Sequence, residues 1–238
     1  IRSSRVRQGV SCSSSCESYP STNRENRSTR QRLPHPTDAL RQWALRQWGD
    51  GRSGGRILAI GRLTYYKGHE YLIEAAKGLP SGFHIRIVGE GDRMAALQHM
   101  IDNGGLADRV ALMGGLPDNR LHAMLDTCDC LCLPSIERTE AFGLVLLEAM
   151  RYEKPVIACD VAGSGMGWVV ADGESGMLVP PADAQALADA IRRMAADETM
   201  RAAMARAAFQ RFERLFRIDR VAAQVAELYE QWAVGGGR

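Results

Sequence analysis

Four side chains in this 238-residue sequence have the types and spacing to hold a phosphorylated, hydroxyl-rich molecule: Arg62, Lys67, Glu140 and Glu148. The two cations lie in Gly61-Arg62-Leu63-Thr64-Tyr65-Tyr66-Lys67-Gly68, directly after an apolar run. A guanidinium grips phosphate oxygens as a fork, and an ammonium acts beside it as a point charge. Gly61 lets backbone approach a ligand closely. Taken alone, an Arg and a Lys on one loop are more often plain surface.

The segment 137–148 narrows the chemistry. Gly143 stands at an expected helix start, where unpaired N–H groups and the positive dipole end suit a phosphate. Glu140 sits just ahead, where the same dipole stabilises an anion. Glu148 follows about 12 Å further on, at 1.5 Å per helical residue. Carboxylates accept paired hydrogen bonds from adjacent hydroxyls, so a nucleotide sugar along this helix start meets one acid at its sugar and the other at its ribose. The plainer alternative makes Glu140 a helix cap and Glu148 a solvated residue. Against it, Glu148 interrupts the largely apolar stretch 144–150, which predicts a buried carboxylate that needs a partner.

Two glycine loops accompany these segments, Gly89-Glu90-Gly91-Asp92 and Gly114-Gly115-Leu116. A single G-x-G with Met94 where a third glycine belongs is a weak dinucleotide signal.

The elements that must position these groups follow from hydrophobic patterning. Strands are predicted at 56–60, 83–89, 109–114, 130–135, 154–160 and 176–181. Helices are predicted at 69–79, 92–105, 118–128, 143–152, 184–196 and 218–233, with a further short helical stretch between the last two. Near-continuous apolar strands alternating with helices imply a parallel sheet covered on both faces. The fold class is α/β, a doubly wound, Rossmann-like parallel sheet. Ligands of such sheets sit at the C-terminal strand ends. The loops after Ile60, Val88, Met113 and Leu133 all lie there.

With 45% hydrophobic and 24% charged residues the chain is ordinary globular material. A net charge of +2 gives no basis for binding nucleic acid. No run reaches the eighteen apolar residues of a membrane-spanning helix, and no apolar leader stands near the start. Residues 1–55 carry ten Arg and ten Ser against four acids, and read as a disordered arm distinct from a body at 56–238. Within that arm only Asp38 to Trp48 has helical spacing, capped by Thr37 or Asp38. The chain opens on Ile1 and its first methionine is Met94, as expected of a fragment or a misassigned start. Cys12 and Cys16 lack the partners of a zinc site. Cys128, Cys130, Cys132 and Cys159 belong to apolar runs and read as core thiols. Reduced thiols and the missing leader point to the cytoplasm.

The E-x7-E spacing of Glu140 and Glu148, the preceding LPS, the AFGL after Glu140, and GR-x4-KG at 61–68 occur in a fixed order. KPVIACDVAGS and DGESGMLVPPAD follow them. Together they resemble the C-terminal, donor-binding half of the retaining glycosyltransferases of family 4 (group 1), which have the two-domain GT-B fold. The resemblance covers about residues 55–234.

It implies that Arg62 and Lys67 hold the donor diphosphate, Glu140 the donor sugar and Glu148 the ribose. Backbone around Phe142, Gly143 and Leu144 meets phosphate and sugar. Gly61 admits the donor, while Gly89, Gly91, Gly115 and Leu116 flank the base. The implied reaction transfers a glycosyl group from a UDP- or GDP-sugar to a glycan or lipid-linked hydroxyl with retained configuration. Such transfer serves polysaccharide or glycolipid assembly at the inner face of a membrane. No metal or other cofactor is implied, and no Asp-x-Asp pair occurs in the chain. The implied closing helix reaches toward an N-terminal half, so Val225, Leu228, Tyr229 and Trp232 are expected to be partly uncovered and to promote association.

Two departures accompany the match. Residues 1–55 do not resemble the family's N-terminal, acceptor-binding half, which predicts little or no turnover by this chain alone. Glu153 stands where a helix-ending glycine is common, at a cost of about 1 kcal/mol if the backbone there is left-handed. An epimerase or phosphorylase reading of the same fold fits the two motifs poorly. A non-catalytic nucleotide-binding or interaction module is the alternative from another class.

Overall fold

The computed structural model describes residues 35–49 and 54–235. Most of the Ser/Arg-rich arm, with Cys12 and Cys16, lies outside them. Six strands form one parallel sheet: β1 (Gly55–Ile60), β2 (Phe83–Val88), β3 (Val110–Leu112), β4 (Cys130–Leu133), β5 (Val156–Cys159) and β6 (Gly176–Val179). Their order is β3-β2-β1-β4-β5-β6. The helices are α1 (Asp38–Gln47), α2 (His69–Lys77), α3 (Met94–Asn103), α4 (Asp118–Thr127), α5 (Leu144–Arg151), α6 (Met166–Val169), α7 (Ala184–Ala196), α8 (Glu198–Leu215) and α9 (Ile218–Gly235).

Every residue of β2, β4 and β5 is buried, as strands covered on both faces require. Cys128, Cys130, Cys132 and Cys159 are free and buried. The sequence direction of the sheet reverses between β1 and β4, so chain leaving these two strands diverges. That opens a crevice at their C-terminal ends.

Part of the predicted arm is folded. Thr37 caps α1 by accepting from the Leu40 N–H, and Ala44 and Trp48 are buried. The Trp48 indole N–H donates to Thr127 Oγ1 at 2.9 Å, tying α1 to α4. Arg86, buried within β2, donates to the carbonyls of Gln47, Ile85 and Arg109 at 2.6, 3.0 and 2.9 Å. Those bonds satisfy a charge that burial alone would penalise, and they fasten the end of α1 to the sheet. Two apolar anchors therefore outweigh the polar composition around them.

The stretch predicted as short between the last helices is the 18-residue α8, capped by Asp197. In α9 the residues Val225, Leu228, Tyr229 and Trp232 are exposed, together with Ile218 and Val221. Helix α5 ends in a Schellman motif. The Lys154 N–H donates to Ala149 O and the Glu153 N–H to Met150 O, both at 3.0 Å. Glu153 sits at the motif's left-handed position with φ 55°.

Candidate active site

The site grows from two loops pressed together across the β1/β4 crevice. After β1 the chain makes a 3-10 turn over Tyr65–Lys67 that ends at Gly68, φ 64°. A Cβ on Gly68 would lie 2.1 Å from the Pro134 carbonyl oxygen, so only glycine permits this approach. The Ile136 N–H donates to the Tyr66 carbonyl at 2.9 Å and locks the loops in register. This contact aims the two loops' charged side chains at each other.

The result is an ion pair between Lys67 Nζ and Glu140 Oε2. Both side chains are largely buried, 11% and 13% exposed. Ser135 Oγ donates to the same carboxylate oxygen at 3.3 Å. Ser164 Oγ donates to the Glu140 backbone carbonyl at 2.5 Å, and the Gly165 N–H to that of Ala141 at 2.7 Å. Gly61 explains itself here, because a Cβ would press within 3.1 Å of the Lys67 ammonium. Arg62 is exposed, and its Nη2 donates to the Tyr66 hydroxyl at 3.0 Å.

Gly143, φ 74°, turns the chain into α5, which has no side-chain cap. Glu140 therefore does not cap this helix, and the first N–H groups of α5 have no side-chain acceptor. Leu144, its first residue, is 68% exposed. Phe142 is half-buried, its ring 5.9 Å from Trp168 and 6.1 Å from Phe216.

Glu148 corrects an expectation, because it is exposed rather than buried. Helix α5 buries Leu146, Ala149 and Met150, whereas Leu144 and Glu148 share the open face four residues apart. The apolar stretch was judged as though both faces of the helix were covered. Partial burial still raises the Glu148 pKa; His122 lowers it and Asp118 raises it further. Glu148 thus stands near α4.

The glycine loops pack on the first loop. A Cβ on Gly89 would lie 1.9 Å from the Gly61 carbonyl oxygen, and one on Gly91 2.4 Å from that of Leu63. The Leu63 N–H donates to Glu90 O at 2.8 Å. Gly115 lies under the Glu90 carboxylate, with Oε1 3.0 Å from where its Cβ would be, and Leu116 is half-buried against the core. Gly61, Arg62, Lys67, Gly89, Gly91 and Glu140 thus belong to one continuous set of contacts at the strand ends.

Sequence reasoning missed four polar contributors. Ser135 was legible only as part of LPS. Tyr66 sat unremarked inside GR-x4-KG, and Ser164 closes KPVIACDVAGS without any local sign that it reaches Glu140. His69, the first residue of α2, is fully buried and neither ring nitrogen makes a hydrogen bond. Burial and then the Lys67 charge lower its pKa to about 4, only partly offset by nearby backbone of Arg62 and Gly61. Among the described residues, no group of three or more His, Cys, Asp or Glu could hold a metal ion. No described helix is long and apolar enough to cross a membrane.

The chain is similar to known proteins in sequence and in fold. The family model for glycosyl transferases group 1 matches residues 48–211. An O-antigen chain mannosyltransferase C of Escherichia coli is 31% identical over 76% of this chain and 48% of its own length. A phosphatidyl-myo-inositol mannosyltransferase of Mycobacterium leprae is 33% identical over 80% of this chain and 50% of its own. The chain spans about half the length of these curated relatives. Among solved structures, Anabaena HepE in complex with UDP superposes with a TM-score of 0.74 at 26% identity, over 82% of this chain and 53% of that one. The C-terminal domain of a group 1 glycosyl transferase from Francisella tularensis gives 0.64 at 26% identity, over 77% of this chain and 96% of that one. The sheet and these matches agree: the chain belongs to the glycosyl transferase group 1 family.

Proposed function

We propose that this chain is the donor-binding half of a retaining glycosyltransferase, which moves a sugar from a UDP- or GDP-sugar to a hydroxyl of a glycan or lipid-linked acceptor. The observation that carries this reading is the Lys67–Glu140 pair at the mouth of the β1/β4 crevice, beside the uncapped start of α5. In transfer the bond from the anomeric carbon to the diphosphate breaks, a bond to the acceptor oxygen forms, and the acceptor's proton passes to the departing diphosphate. Negative charge builds on the leaving diphosphate. Lys67, Arg62 and the α5 N–H groups offer fixed positive charge to it. This electrostatic role requires no metal.

The cost of opening the ion pair falls due when donor arrives. The diphosphate gives Lys67 a new anionic partner, and the freed Glu140 carboxylate then accepts from sugar hydroxyls. Glu148, on the open face of α5, accepts from the ribose. UDP in the HepE structure and a match over 96% of a solved C-terminal domain both favour a donor-half assignment. Relatives named for O-antigen and phosphatidyl-myo-inositol mannosyl transfer favour a polysaccharide or glycolipid product. We place the reaction in the cytoplasm, at the membrane's inner face.

Because the chain spans about half of its relatives, a non-catalytic nucleotide-binding module is the second reading. Radiolabelled sugar transfer, with a family N-terminal half added in trans, separates the two. Transfer that depends on the added half and on Glu140 supports the enzyme. Nucleotide binding without transfer in any combination supports the module.

A further inference from the structure

The Tyr66 side chain faces both cations of the first loop. Its hydroxyl accepts from Arg62 Nη2 at 3.0 Å, and its ring centroid lies 5.8 Å from Lys67 Nζ. Its own backbone is fixed, because the carbonyl accepts from the Ile136 N–H at 2.9 Å. The next residue but one, Gly68, is jammed against Pro134. A phenol on a fixed stretch of backbone thus stands beside a largely buried ammonium and an exposed guanidinium.

We propose that Tyr66 is a positioning residue for the diphosphate: it holds the Arg62 guanidinium at a set separation from the Lys67 ammonium, so both cations meet one pyrophosphate without further ordering. The proposal rests on the donor-site reading above. The physical reason is conformational. An exposed arginine has many rotamers, and binding an anion must freeze them unless a neighbour already has. A phenolic oxygen is a neutral acceptor, so it orients the guanidinium without cancelling the charge that the phosphate needs. A carboxylate at the same place would compete with the ligand. The ring face adds a weaker attraction for the ammonium, set by the aromatic quadrupole.

The test is a double-mutant cycle on the 238-residue chain, read by isothermal titration with UDP and with GDP. Tyr66→Phe keeps the ring and the backbone and removes only the hydroxyl, so its thermal midpoint should match the parent's. Its affinity for the tighter of the two nucleotides is expected to fall about 3- to 10-fold, the range of one ordinary hydrogen bond, because the bond to Arg62 is exposed to solvent. In an Arg62→Ala background the same substitution is expected to change affinity less than 2-fold, because the group it positions is gone. Unchanged affinity in Tyr66→Phe overturns the proposal, as does an equal loss in both backgrounds. If the parent chain binds neither UDP nor GDP, the donor-site reading itself falls, and the role of Tyr66 with it.

Discussion

Lys67 and Glu140 lie 73 residues apart in sequence and share one hydrogen-bonded ion pair at the C-terminal ends of β1 and β4. The pair is nearly enclosed and takes a further bond from Ser135. A buried charge left without its partner is costly, typically about 3 kcal/mol or more. Lys67→Ala is therefore expected to lower unfolding free energy by about 3 kcal/mol. Glu140→Gln, which keeps an acceptor for the lysine, is expected to cost less than half of that. Urea denaturation of the three chains checks the ranking; a loss below about 1 kcal/mol in Lys67→Ala would mean that the pair is worth no more than an exposed one.

Glu148 gives a pH-dependent prediction. Partial burial raises its carboxyl pKa in the folded chain, so the folded state favours the protonated form. Stability from this group is therefore present at low pH and is lost as pH rises through the folded pKa. Glu148→Gln is expected to raise the thermal midpoint at pH 7, and to raise it less near pH 4. If the group binds ribose, the same variant loses nucleotide affinity while gaining stability. A midpoint lowered at pH 7 contradicts the burial argument.

His69 acts in the opposite direction. It is buried and neutral, with a pKa lowered from 6.5 to about 4. The unfolded chain takes up a proton at higher pH than the folded one, so stability falls as pH drops from about 6.5 towards 4. The full effect is on the order of 3 kcal/mol at 1.36 kcal/mol per pH unit. His69→Asn, an uncharged replacement, is expected to flatten the stability profile across that window. Parallel profiles for the two chains would show that other groups cause the acid loss.

The left-handed Glu153 ends α5 where glycine has no steric penalty. Glu153→Gly is expected to stabilise the chain by about 0.5–1 kcal/mol, without altering nucleotide binding. Destabilisation would show that contacts of the Glu153 side chain outweigh its backbone strain.

The sheet was legible because its strands are buried on both faces and read as unbroken apolar runs such as Cys130–Leu133 and Val156–Cys159. Helix α8 was underestimated because tertiary packing needs only Met204 and Ala208 to be fully buried along its 18 residues. The chemistry-bearing loops could be found from Arg62, Lys67 and Glu140, each near a strand end or helix start, while Glu148 lies within α5. Their contacts could not. The meeting of Lys67 with Glu140 depends on Gly68 fitting against Pro134, and Ser164 reaches Glu140 from 24 residues away. The exposure of Glu148 depends on which face of α5 is left uncovered. Sequence periodicity marks an apolar face but does not show what lies opposite it.

The central claim is that a nucleoside diphosphate takes Lys67 from Glu140. Isothermal titration of UDP and GDP into the chain, beside Lys67→Ala, tests it most directly. Saturable binding of at least one nucleotide, weakened at least 10-fold in Lys67→Ala, is the predicted result. Absence of binding to either nucleotide, or equal affinity in the folded variant, would contradict the account.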